Sequence, residues 1–184
     1  MLRSSLQLRK EYARRGSSLP PERAFFRRMS ATPSRLSPLD PLRVGEHLHG
    51  HLGWLAAIAL VHPAIFLRRA DRRARWSVGL AVALVTLAGA IGVSLYPGYR
   101  DTLKQSIFVS SPTMGYLFER KEHLAFGAVM LAWTGGIGYV AERLSEGNVR
   151  AAMRRVAHYA FVAAAAFAVV TAALGTVVAS YKTF

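Results

Sequence analysis

The chain has 184 residues, a formal charge of +14, 52% hydrophobic and 18% charged residues, and no cysteine. That length holds one domain, and the lack of cysteine excludes disulfides, thiolate catalysis, cysteine-held iron–sulfur clusters and covalent haem attachment. The basic excess first suggests nucleic acid, but the charges are gathered in blocks beside long apolar runs, where basic residues set topology and meet anionic headgroups. Nucleic acid is therefore not an expected partner.

Residues 1–42 are rich in Arg, Ser and Pro, with Pro20-Pro21, Pro33, Pro38 and Pro41 and no sustained period, which predicts a disordered tail. Arg14-Arg15 and Arg27-Arg28 resemble twin-arginine signals, but no cleavable apolar run follows either pair. A translation start at Met29 is the competing account of this segment.

Residues 43–184 read as one transmembrane domain of four spans. The first, about His47 to Leu67, is long enough to cross about 30 Å of hydrocarbon at about 1.5 Å per residue, and Arg68-Arg69 end it. The second, Ser77 to Tyr96, carries no basic or acidic residue before Pro97-Gly98, where a break is expected. Its Gly79, Gly89 and Gly92 permit close helix approach. Between Pro97 and Lys121 lies the longest loop, whose apolar residues suggest a segment lying in the membrane interface or folded over the bundle end. Span three covers about His123 to Val140 and is introduced by Glu119-Arg120-Lys121-Glu122. Span four covers about Val156 to Ser180. The predicted fold class is all-α, an integral-membrane four-helix up-and-down bundle.

Orientation follows from the short loops. Loop one carries five Arg between Arg68 and Arg75 against Asp71, and loop three carries four Arg against Glu142 and Glu146. The long loop is nearly balanced. Loops one and three are thus expected in the cytoplasm, with both termini periplasmic. Twenty Arg against four Lys, with abundant alanine, fit the codon bias of a GC-rich bacterium. The expected location is the bacterial inner membrane.

Ligating side chains inside membrane spans are costly, so the six histidines are the candidate functional residues. In an up-and-down bundle His51 and His123 share the periplasmic side, and His62 and His158 the cytoplasmic side. His51 and His62 are eleven positions apart, which leaves about 20° of rotation and about 16 Å of rise between them. They point along one face. His47, one turn before His51, is the substitute for it, whereas His49 lies on roughly the opposite side from His62 and ranks last.

Two imidazoles from facing helices supply both axial ligands of a b-type haem, which a cysteine-free chain would hold noncovalently. One or two haems are therefore the expected cofactors, with His51, His123, His62, His158 and His47 as the candidate iron ligands. Arg43, Arg68, Arg100 or Arg120 would meet the propionates. A nonhaem metal held by His47, His51, Glu122 and His123 is an alternative. There is no phosphate-binding Gly-Lys-Ser/Thr loop, no His-Glu-x-x-His, and no persuasive Ser–His–acid set.

With HLHGH at the head of span one, His62-Pro63 at its end and EHLAFGAVMLAW opening span three, the region from Glu46 to Ser180 resembles an uncharacterised family of bacterial four-helix membrane proteins. That family is similar in layout to diheme b-type membrane cytochromes. The resemblance implies a membrane electron-transfer subunit more than a stand-alone enzyme, with the lipid bilayer and a quinone or another redox subunit as partners. The competing class is a haem-free structural or interaction subunit of a larger membrane complex.

Overall fold

The computed structural model describes residues 41–69 and 74–181, all within one unit spanning Pro41–Phe184. Of the predicted tail, residues 1–42, the first 40 lie outside the described residues, and Pro41 and Leu42 already belong to the first helix. Every described element is helical, and no strand occurs among the described residues. The elements are α1 (Pro41–Phe66), a 3-10 turn (Leu67–Arg69), α2 (Ala74–Tyr99), a π turn (Arg100–Lys104), α3 (Gln105–Ser110), α4 (Pro112–Leu144) and α5 (Gly147–Tyr181). Helices α1, α2, α4 and α5 are each long and apolar enough to cross a membrane.

These four helices pack as a ring in the order α1, α2, α4, α5, with α5 closing on α1. The fold class read from the sequence is the observed one. No more than 28% of each apolar stretch is buried inside the bundle, so most of the apolar surface faces outward. Ile58, Trp76, Val93, Phe126 and Ile137 are all well exposed. Such a surface suits lipid and not water.

The interior is built of small side chains. Ala56, Ala57, Leu60 and Ala64 of α1 meet Val78, Ala81, Val85 and Ala88 of α2, Ala128 and Ala132 of α4, and Ala157, Phe161, Ala164 and Ala168 of α5. Lipid gives helices no hydrophobic reason to associate, so close van der Waals packing between small residues has to hold them. Helices α4 and α5 approach closely, and a Cβ on Gly138 would lie 3.3 Å from the backbone nitrogen of Ala157. One turn away, the fully buried Phe161 ring fills the gap left by Gly135, at 2.8 Å from where a Cβ would sit.

Polar side chains bond within their own helices and, at several places, across them. Trp133 Nε1 of α4 donates to Thr86 Oγ1 of α2 at 3.1 Å, and that hydroxyl donates to the Val82 carbonyl at 2.7 Å. Trp54 Nε1 of α1 donates to Thr176 Oγ1 of α5 at 3.3 Å. Arg154 of α5 pairs with Glu142 of α4 at 2.7 Å, beside the Ser145-Glu146 link between the two helices. Each contact satisfies a donor that would otherwise face hydrocarbon or a packed interior.

Helix ends differ from the expected spans. Helix α2 runs through Pro97 to Tyr99 and passes into the π turn. A proline costs the helix one hydrogen bond, which a helix near a membrane face can lose more readily than one at mid-depth. The long loop is almost wholly helical: only Ser111 separates α3 from α4, and α4 starts at Pro112, eleven residues ahead of His123. Ser111 caps α4, its Oγ accepting from Met114 N at 3.4 Å, with proline in the first turn. Ile107, Phe118 and Val178 form a small apolar cluster that holds α3 against the end of the bundle.

Candidate functional site

The histidines occupy the two ends of the bundle. At the end that starts α1, His47 and His51 are exposed, as is His123 on α4. His123 Nδ1 donates to the Glu119 carbonyl of its own helix at 2.8 Å. Helices α1 and α4 lie across the ring from one another, each packed on α2 and α5. His51 and His123 therefore stand on opposite helices, both exposed.

His49 is the histidine turned into a helix seam. Its Nδ1 donates to the Ala88 carbonyl of α2 at 3.1 Å. Its Cε1 lies 2.9 Å from where a Cβ on Gly92 would be. The arrangement is self-consistent: Gly92 stands one turn beyond Ala88, and the missing side chain lets the ring reach that carbonyl. Lys121 of α4 is a charge neighbour of His49; its ammonium lies 4.9 Å over the Phe118 ring, and its stem passes 3.7 Å from the Cβ position of Gly175 on α5. All four long helices thus contribute to this end.

Around this core the charges balance. The Tyr99 hydroxyl faces the Glu46 carboxylate and donates to it. Lys104 of the π turn pairs with Glu119 of α4 at 2.9 Å. The Glu119 carboxylate holds the Lys104 ammonium above its ordinary value by accepting its hydrogen bond. Glu122 has Lys104, Lys121 and His123 among its charge neighbours. A shallow hollow of about 440 Å³ beside this pair is lined by Arg100, Asp101, Lys104 and Gln105. Chemically the cluster is a charge-balanced fastening of the π turn onto α4. Among the described residues no three His, Asp or Glu side chains converge as a metal site, so His47, His51, Glu122 and His123 do not form one.

At the opposite end, His62 Nδ1 hydrogen-bonds Ser77 Oγ of α2 at 2.6 Å, and its ring stacks on Phe66 with centroids 4.1 Å apart. His158 of α5 is partly buried, and its Nδ1 is fully buried without a hydrogen-bond partner. It lines a groove of about 810 Å³ between α1 and α5, with Ala64, Ile65, Arg68, Tyr159 and Val162. His62 and His158 are therefore at one end on touching helices, but His62 is exposed and engaged with α2.

Sequence reasoning passed over Glu46, Tyr99 and Lys121. The signal was the Tyr96-Pro-Gly-Tyr-Arg100 run closing span two, with Glu46 immediately ahead of the histidine cluster. The fold and both ends together define a class, the multi-pass helical membrane bundle. No protein-family model, curated protein or solved structure matches the chain.

Proposed function

We propose that the chain is a haem-free structural subunit of a bacterial inner-membrane complex, in which His49 and His62 join helices and His123 braces its own. The observation that supports this reading is the engagement of three imidazoles: His49 with the Ala88 carbonyl, His62 with Ser77 and His123 with the Glu119 carbonyl. Such bonds between or within helices are worth keeping where water cannot replace them. The exposed stripe of Phe126, Met130, Trp133 and Ile137 on α4 offers a face for a neighbouring membrane helix as readily as for lipid.

Protein purified after haem-replete expression is expected to be colourless. A reduced b-type α-band that disappears in His158→Ala or His123→Ala would overturn the reading.

A second reading keeps one b-type haem at the His158 end, with quinone or a redox subunit as partner. It is favoured by the groove whose lining includes both His158 and Arg68, residue types that can serve iron and a propionate. His62 would leave Ser77 to become the second ligand.

Orientation belongs to the same proposal: the Ser145-Glu146 link in the cytoplasm and the π turn in the periplasm, from the arginine-rich loops. The chain has no cysteine, so single cysteines serve as reporters. In intact cells an impermeant maleimide is expected to label Ser106→Cys and spare Ser145→Cys; the reverse pattern inverts the orientation.

A further inference from the structure

The groove between the end of α1 and α5 has graded chemistry. Arg68 sits at its membrane face, beside a link that holds Arg69, Arg72, Arg73 and Arg75 in sequence. Ile65, Ala64 and Val162 line it deeper in the span. No carboxylate is among the lining residues, and Arg68 has no ion pair among the described residues. His158 Nδ1 is buried with no partner. Arg68 and Tyr159 present donors and a positive charge above an apolar floor, beside the unpartnered His158 imidazole, and the groove opens on the surface that faces lipid.

We infer that this groove binds the phosphodiester headgroup of an anionic phospholipid, with an acyl chain lying along Ile65 and Val162. Guanidinium meets phosphate through paired, charge-assisted hydrogen bonds, and basic pockets between membrane helices on an arginine-rich face suit such headgroups. The inference does not depend on the subunit role proposed above. It competes with the haem reading, because one groove cannot hold both.

The test uses the full chain in a neutral detergent, with thermal unfolding followed by circular dichroism and bound lipid counted by native mass spectrometry. Phosphatidylglycerol is expected to raise the melting temperature saturably and to remain bound, whereas phosphatidylcholine with the same chains does neither. Arg68→Gln is expected to weaken phosphatidylglycerol binding about tenfold or more, with little change in lipid-free melting because Arg68 is exposed. Tyr159→Phe, which keeps the ring, weakens it less. Equal stabilisation by phosphatidylcholine overturns the proposal. So does full substitution by inorganic phosphate, undiminished binding in Arg68→Gln, or a haem absorbance band lost with His158.

Discussion

Phe161→Ala is expected to destabilise the bundle by about 2–3 kcal/mol, from about 24 cal/mol per Å³ of cavity and roughly 100 Å³ of side chain removed. The ring is fully buried and seated in the gap left by Gly135. In water a buried phenylalanine adds a transfer contribution, but here the separated helices leave the ring in lipid, so packing and cavity account for the loss. Gly138→Val probes the same seam from the other side. The backbone of Ala157 is 3.3–3.4 Å from the new Cβ, and backbone, unlike a side-chain tip, cannot swing away. Separation of α4 from α5 is expected to cost about 1–3 kcal/mol. Reversible unfolding in mixed micelles of dodecyl maltoside and sodium dodecyl sulfate, followed by circular dichroism, measures both. A loss below about 0.5 kcal/mol for Phe161→Ala, the usual range of inconsequential surface changes, would show that the seam is not where the bundle is held.

Span number and fold class were legible because lipid imposes them: four apolar runs of sufficient length, separated by blocks of arginine, leave few alternatives. Helix ends were not. Apolarity marks only the stretch a bilayer covers, and charge does not stop a helix, so Glu119-Arg120-Lys121-Glu122 is helical although it reads as a boundary. The same holds at Pro97, where a break was expected but the helix runs on to Tyr99 and straight into the π turn.

The histidines show a different limit. The rotation relating His51 to His62 holds in the structure, since His51, Leu55, Ile58, His62 and Ile65 form one stripe along α1. All five are exposed. Periodicity establishes which residues share a face, but on a helix apolar all round it does not say which face meets the neighbours. Small residues decided that here. Ala56, Ala57, Leu60 and Ala64 are buried, and His49, seven positions ahead of Ala56, falls on their side of the helix. The partners that complete the charged end, Tyr99 with Glu46 and Lys104 with Glu119, are 53 and 15 residues apart. Only the turn back through α3 brings the second pair together.

The seam between α1 and α2 offers the second large effect, and a double-mutant cycle isolates it. His49→Ala removes the bond to the Ala88 carbonyl and empties the space over Gly92. A loss of about 1–2 kcal/mol is expected, since interhelical hydrogen bonds in membranes average about 0.6 kcal/mol and reach about 1.7. Gly92→Val alone is expected to cost about 1–3 kcal/mol, because the imidazole lies 2.9 Å from the new Cβ. Combined, the two changes cost less than their sum: the valine occupies the volume that the imidazole vacated. A coupling of about 1–2 kcal/mol in the rescuing direction is expected, whereas independent sites add within about 0.5 kcal/mol. Additivity would mean that His49 is not seated on Gly92, and that its bond to α2 is not what joins these helices. Rescue would tie the stability of the first two spans to one imidazole and one missing side chain, and leave His47 and His51, each two residues from His49, free of that structural duty.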